Sequence, residues 1–501
     1  MTLAEFILQH ENDDTSALLL ARHRFPDIDI DLAVTTIECR RRLRRKVPSW
    51  YAAPTLLFPS RLAAEQCSSE ETARVKAMVA LSVAAGCCRL QTVAARPLPQ
   101  VGPSLLHCRG WHGFATDTSF RNSESNSVRI ADLTGGMGVD SWAFSQVFGE
   151  VLYNEMRPAL AEVTRQNFKA LGVTNVQFRC KELVAGDSTD KPWNDGKASL
   201  PANASPSLPA NAGNLLDILD GFKPDVIYMD PARRAGDGRK VFRLADCQPD
   251  VLTLLPELMA ACPDLLLKLS PMADITQLSR ELPGLMAVTV VGADGECKEL
   301  LLHVRRDYAG PYSLAVVENG AELVFDPTTR LQSEVSGRAI SCKREAENGS
   351  FAQNSHRVCS QTHAEPGFCA NAQVAAERLL FEPGKALAKT GRFAEIGSRF
   401  GLTQISASTH LYTADSIPEE LRPFGKVFEI EEVLPLNNET FRSLKKHIPA
   451  AEITARNLPL TSDALRKKLG IASGGTQHLF GVRSDAAGNL LLVTTPKAEG
   501  E

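Results

Sequence analysis

The sequence predicts an α/β protein. It reads as an open, mostly parallel sheet of seven strands, with a helical region before it and a small α+β domain after it. Three observations lead there. Residues 128–305 alternate strand-like and helix-like segments, the pattern of a parallel sheet. Within them Val128-Arg-Ile-Ala-Asp-Leu-Thr-Gly-Gly-Met-Gly-Val-Asp140 runs from an apolar strand through a glycine-rich turn into the amphipathic run Ser141 to Phe148. A second apolar strand, Asp225-Val-Ile-Tyr-Met-Asp-Pro-Ala-Arg-Arg234, ends in an Asp-Pro tip.

In chain order, residues 1–115 form the helical region. Ala17 to Arg24, Ile37 to Lys46 and Glu70 to Ala85 carry helical patterning, with Ser68 or Ser69 as N-cap and acidic Glu70 and Glu71 in the first turn of the last. Arg40-Arg-Arg-Leu-Arg-Arg-Lys46 holds six cations in seven residues. It reads either as a solvated helix face or as a phosphate-binding surface. The α/β domain spans 116–305, opening with a polar loop over 116–127. Its expected strands are 128–132, 151–155, 175–180, 225–230, 264–269, 286–291 and 299–304. Residues 186–214 contain SLPANA twice and read as a disordered insertion. Residues 336–376 read as a flexible linker. The C-terminal domain covers 377–501, with a mostly helical start at 379–401, strands at 404–412, 426–433 and 490–495, and a helix at 441–447. Between 441 and 483, eight Lys and Arg face two acids. That surface suits a phosphate backbone, or is a solvated basic face.

Composition excludes several classes. The 501 residues carry a net charge of −4, so any nucleic-acid surface must be local. MTLAEFILQHENDDTS lacks a basic n-region and an apolar run, so no signal peptide is expected. No stretch reaches the ~18 apolar residues of a membrane span. The twelve cysteines are scattered, with Cys87-Cys88 the only close pair and no CxxC, so neither a metal site nor a disulfide framework is expected. A cytoplasmic location with reduced thiols follows.

Ligands of open α/β sheets bind at the carboxyl ends of strands, so the polar tips should share one cleft. Glycines at 136 and 138 let backbone approach a ligand and tolerate positive φ. Thr134 lies in the same loop. Glu155, at the second strand's end, suits ribose hydroxyls, and Glu182, at the third, suits an adenine amine. Asp132 inside the loop would repel a pyrophosphate but tolerates a ligand with an amino-acid tail. S-adenosylmethionine is such a ligand, and its sulfonium is positive. Asp230, with Pro231 fixing the backbone, could accept hydrogen bonds from an exocyclic amine and aim it at a methyl carbon. Arg233 and Arg234 could hold a phosphate or a base.

The loop DLTGGMGVD and the tip DPARR resemble class I S-adenosylmethionine-dependent methyltransferases. Within them they resemble the bacterial group with a THUMP-like C-terminal domain, related to the RNA cap guanine-N2 methyltransferases. Glu65-Gln-Cys-Ser-Ser-Glu-Glu-Thr-Ala-Arg-Val-Lys76 resembles that group's pre-sheet segment, which implies substrate contacts for Gln66, Ser68, Ser69 and Thr72. His410-Leu-Tyr-Thr413, Arg456-Asn-Leu-Pro-Leu460 and Leu465-Arg-Lys-Lys-Leu469 with Gly474-Gly475 resemble the THUMP-like part, and Lys445, Lys446, Arg466 and Lys467 become candidate RNA contacts. The resemblance also implies a Rossmann-like sheet and a small ferredoxin-like piece near 306–335.

Two departures matter. Ala232 and Arg233 stand where many amino-methylating enzymes have proline and an aromatic residue, so stacking on that aromatic is lost. Leu267-Lys-Leu-Ser-Pro-Met272 lacks the cysteine that carbon-5 methylation needs. The reading is a methyltransferase using S-adenosylmethionine on a base nitrogen of structured tRNA or rRNA. The alternatives are a non-catalytic RNA-binding or assembly protein on the same scaffold, and a protein or small-molecule methyltransferase.

Overall fold

The computed structural model describes residues 1–86, 128–185, 212–233, 244–325, 327, 377–485 and 487–497. The loop at 116–127, the Cys87-Cys88 pair, Arg234, most of the expected insertion (186–211) and the linker at 336–376 lie outside the described residues. The chain divides into two compact units: Met1–Ala293 with Lys298–Glu322, and Asp294–Cys297 with Leu323–Glu501.

The first unit opens with helices α1 (Leu3–Gln9), α2 (Thr15–Leu20), α3 (Ile30–Lys46), α4 (Pro48–Tyr51), α5 (Arg61–Gln66) and α6 (Glu70–Ala84). Ser69 caps α6, its hydroxyl accepting from the Thr72 amide. Helix α6 is buried along nearly its whole length, Glu70 and Lys76 included. Its Ala73, Ala77 and Ala80 belong to one core with Ile130, Tyr228, Leu266, Val291 and Leu301 of the sheet. Asn167 pins the same region by exchanging two hydrogen bonds with the Leu57 backbone, at 3.0 and 2.7 Å.

The basic run on α3 presents a partly solvated face, with Arg41, Arg42, Arg44 and Arg45 exposed, but most of its cations also have partners within the protein. Arg40 is buried and donates to the carbonyls of Tyr51 and Ala53. Arg41 donates to the carbonyls of Glu11 and Asp13, Arg42 pairs with Glu65, and Lys46 donates to the carbonyls of Ala64 and Glu65. Arg44 stacks on Tyr51. Five of these six cations are thus committed to bracing their own region.

The main sheet, which belongs to this unit apart from Glu296–Cys297 and Leu323–Phe325, has strands β1 (Arg129–Asp132), β2 (Glu150–Asn154), β3 (Val176–Arg179), β4 (Val226–Met229), β5 (Asp264–Leu269), β6 (Leu285–Ala293), β7 (Glu296–Arg305), β8 (Ser313–Glu318) and β9 (Ala321–Phe325). Their order is β9-β8-β6-β7-β5-β4-β1-β2-β3. Strands β3, β2, β1, β4 and β5 are parallel, and β7 is antiparallel to β5. Helices α7 (Val139–Ser145) and α8 (Pro158–Ala170) connect β1 to β2 and β2 to β3. All seven expected strands are present. Residues 313–325, assigned to a ferredoxin-like piece by resemblance, instead supply two further strands of this sheet, because Ala287–Val291 of β6 offers an edge that Ser313–Val317 pairs in parallel. The expected insertion ends earlier than 214. Ala212–Gly213 pairs with Glu182–Leu183, and Asn214 forms a capping box with Asp217 at α9 (Leu215–Leu219). Helices α10 (Val251–Ala261) and α11 (Ile275–Glu281) precede β5 and β6.

The second unit has strands β10 (Leu379–Pro383), β11 (Thr403–Gln404), β12 (Tyr412–Ala414), β13 (Gly425–Pro435), β14 (Glu452–Arg456), β15 (His478–Ser484) and β16 (Gly488–Pro496), ordered β11-β12-β10-β13-β16-β15-β14. The start expected to be helical is a strand followed by the short helices α12 (Lys385–Lys389) and α13 (Phe393–Phe400). Helices α14 (Asn438–His447) and α15 (Ser462–Leu469) pack Leu444, Leu465 and Leu469 into a core with Leu479 and Leu491.

Candidate active site

The chain leaves β1, builds β2 and β3 on one side, then crosses to β4 on the other. The reversal opens a crevice beyond the carboxyl ends of β1 and β4, where open α/β sheets take ligands. The loop after β1 is shaped by contacts that exclude side chains. A Cβ at Gly135 would lie 2.2 Å from the Tyr153 ring, and one at Gly138 would lie 2.6 Å from the Thr164 methyl. Gly136 and Gly138 hold φ of +55° and +85°.

Asp132 does not face the crevice. It is buried, accepting from the Thr134 amide at 3.1 Å and the Ser141 hydroxyl at 2.5 Å. Burial pushes its carboxyl up to about 8 against those bonds. Thr134 ties two tips together, its hydroxyl oxygen accepting from the Asp230 amide at 2.6 Å. Glu155 receives the Gly136 amide at 3.0 Å on one oxygen, and the Arg157 amide and Nε on the other. Asn154 joins the tips of β1 and β3 by donating to the carbonyls of Leu133 and Lys181. Glu182 begins the short strand just beyond β3.

At the end of β4, Asp230 Oδ2 accepts from Lys268 Nζ at 2.6 Å. Pro231 follows, buried, and Ala232–Arg233 pairs antiparallel with Cys247–Gln248. Lys268 belongs to an ionic network that the sequence pattern did not reveal. Lys76 of α6 lies 2.7 Å from Glu299 of β7 and 3.2 Å from Asp140 of α7, and Lys268 lies 3.9 Å from the other Glu299 oxygen. Asp140 also receives the hydroxyls of Ser68 and Tyr228. Burial works against every charge here. For Lys268 it is outweighed by Asp230, Glu299 and Asp140, which hold the ammonium above its ordinary range. For Asp140 it is outweighed by Lys76 and Lys268, and the carboxyl sits low. For Glu299 burial wins and the carboxyl sits high. A lone lysine in each of two apolar stretches, Leu265–Leu269 and Val75–Leu81, was the available signal.

The pre-sheet residues correct the expectation set for them. Ser68 is buried and serves the network, receiving a hydrogen bond from Lys76 at 2.7 Å. Thr72 is buried and bonded to Ser69 within the α6 cap. These groups are spent on holding α6, whereas Gln66 is exposed at the end of α5. In the second unit Lys446 and Lys467 are exposed on α14 and α15. Lys445 is exposed but lies against Gly470, the left-handed C-cap of α15. Arg466 departs from the expected role. It donates to the Ala451 carbonyl at 3.0 Å and reaches Glu452 at 3.5 Å, bracing α15 on β14.

Residues 425–496 match a THUMP domain-like family model, and 379–421 match a ferredoxin-like domain. Two uncharacterized S-adenosylmethionine-dependent methyltransferases of Mycobacterium tuberculosis, strains CDC 1551 / Oshkosh and ATCC 25618 / H37Rv, are each 26% identical over 256 residues, covering 50% of this chain and 59% of their own. The match thus spans little more than half the length of these relatives. A Porphyromonas gingivalis W83 protein, provisionally named a methyltransferase, has a crystal structure that matches 99% of this chain and 98% of its own, with 25% identity and a TM-score of 0.65. The chain is thus similar to S-adenosylmethionine-dependent methyltransferases, and its C-terminal part matches ferredoxin-like and THUMP domain-like models.

Proposed function

We propose that the protein is an S-adenosylmethionine-dependent methyltransferase acting on structured RNA. The observation that carries this is the meeting of the glycine loop, Glu155 and Asp230-Pro231 at the carboxyl ends of three adjacent parallel strands. S-adenosylmethionine fits the donor set. Gly135, Gly136 and Gly138 keep side chains out of the loop. Glu155 is proposed as the acceptor for ribose hydroxyls; it is buried at the end of β2, and its bonds to Gly136 and Arg157 hold it beside the loop. Glu182 is proposed for the adenine amine. Asp132 and Thr134 would shape the loop rather than touch the cofactor. Carboxylates around the crevice suit a sulfonium. When bound, that cofactor supplies an electrophilic methyl group, and this chain's residues position an acceptor against it.

RNA is supported by the THUMP domain-like match and by exposed cations on α14 and α15, Lys445, Lys446 and Lys467 among them. Arg233 is a candidate RNA contact at the tip. The base nitrogen expected from sequence needs Asp230 free to accept N–H donors, and one of its oxygens already receives Lys268.

The test incubates purified protein and methyl-labelled S-adenosylmethionine with RNA from a strain lacking the gene, with DNA and protein extracts in parallel. Label in RNA supports the reading. Label in protein alone moves the activity to another acceptor class. Cofactor binding without transfer anywhere favours a non-catalytic scaffold.

A further inference from the structure

Five charged side chains from separate elements meet beneath the β4 tip: Lys76, Asp140, Asp230, Lys268 and Glu299. Lys268 reaches Asp230 at 2.6 Å and Glu299 at 3.9 Å, and Lys76 reaches Glu299 at 2.7 Å. The side chains of Lys76 and Glu299 are 0% and 4% exposed, against 14% for Lys268 and 34% for Asp230. A charged pair therefore opens on the crevice, and Lys76 with Glu299 and Asp140 lies under it. Sinking such ions costs several kcal/mol each, and apolar residues of similar volume would stabilise the fold as well, at roughly no net loss. Buried, mutually perturbed charges at a cleft point to chemistry.

The pair discriminates between acceptors. An exocyclic amine brings two N–H donors and wants two acceptors around it. Here one Asp230 oxygen is already filled by an ammonium. Tyr228, the nearest aromatic residue along the strand, is buried and bonded to Asp140, so it offers no plate for a base. A hydroxyl brings one donor and two lone pairs. It can give its proton to a carboxylate, take an N–H from an ammonium on one lone pair, and keep the other for attack. Asp230 and Lys268 supply that set side by side.

We infer that the atom methylated is the 2′-hydroxyl oxygen of an RNA ribose, bound between Asp230 and Lys268, with Lys76 and Glu299 as positioning residues. This rests on the RNA methyltransferase reading above. The hydroxyl oxygen forms a bond to the methyl carbon and the carbon–sulfur bond breaks, its electron pair staying on sulfur as a neutral thioether. The hydroxyl proton passes to the Asp230 carboxylate and then to water.

The experiment labels RNA from a strain lacking the gene, using the wild-type protein, and hydrolyses the product in alkali. A 2′-O-methyl group blocks cleavage at its own phosphodiester, so label in alkali-stable dinucleotides is the expected result. Label in mononucleotides assigns a base acceptor. It overturns this inference and leaves the methyltransferase reading standing. Absence of label from RNA, with label in a protein extract, overturns both. Lys268→Met tests the role of the pair. It should lower turnover by about 100-fold or more while binding of S-adenosylhomocysteine, measured by calorimetry, is unchanged. Lys268→Arg should recover part of that loss with a displaced pH profile. Equal loss of turnover, cofactor binding and melting temperature in Lys268→Met would make the network merely structural.

Discussion

Replacing Asp132 by asparagine should remove a pH dependence from the stability of the first unit. The carboxyl is buried between the Thr134 amide and the Ser141 hydroxyl, and burial lifts it from 3.8 to about 8. The folded state therefore holds a proton that the unfolded chain releases. Below about pH 4 both states are protonated and the contribution of Asp132 is fully present. As pH rises the contribution fades, and it is lost as pH passes through about 8. Each pH unit in that window is worth ~1.4 kcal/mol, so the whole swing is on the order of 5 kcal/mol. Asparagine keeps both partners, since its carbonyl accepts from Thr134 and its amide donates to Ser141, and it does not titrate. Trp50 and Trp142 lie in the first unit, Trp50 fully buried in its core, so tryptophan fluorescence follows that unit's unfolding. Urea denaturation at pH 5 to 9 should show Asp132→Asn gaining on the wild type steadily toward alkaline pH. A constant difference between the two proteins across that range would refute the argument.

Four further outcomes are expected. Gly138→Ala strains a φ of +85° and drives a methyl into Thr164 and Phe168. It should cost about 2–4 kcal/mol in the same denaturation assay and weaken S-adenosylhomocysteine binding by calorimetry. Asp230→Ala should abolish methyl transfer while leaving cofactor binding largely intact, and matched losses would remove Asp230 from acceptor handling. Arg40→Ala strips donors from two half-buried carbonyls and a partner from Glu11, costing about 3 kcal/mol, whereas Arg45→Ala, on the exposed side of α3, should change stability by less than ~0.5 kcal/mol. Charge reversal at Lys446 and Lys467 should weaken RNA binding and flatten its salt dependence by about one unit of slope for each phosphate partner removed, read by titration at several salt concentrations.

The sheet was legible from sequence because its signals are local. An apolar strand ends at a residue that must turn, and Gly136 and Gly138 mark backbone that other residues adopt at a cost. Glu155 and Asp230 could be picked out as candidates for the same reason: each sits at the end of a strand, and strand ends in a parallel sheet converge. The additional strands at 313–325 were harder to read, since their pairing depends on an edge that β6 offers only after folding. Residues 379–383 read as helix because a five-residue apolar run carries no period that separates strand from helix. Side-chain partners lay further out of reach. Composition left Arg40 to Lys46 open as a solvated face or a surface for phosphate, but carbonyls of other segments claim three of those six cations. Ser68 and Thr72 lay in a recognisable motif, yet the fold turns them inward. Lys76, Asp230, Lys268 and Glu299 span more than two hundred residues of chain, and only tertiary packing brings them together. Sequence determines which groups a strand or helix carries and where each element ends. Which charges then lose their water to one another is decided by how those elements stack, because an ion pair depends on distance in space and not along the chain.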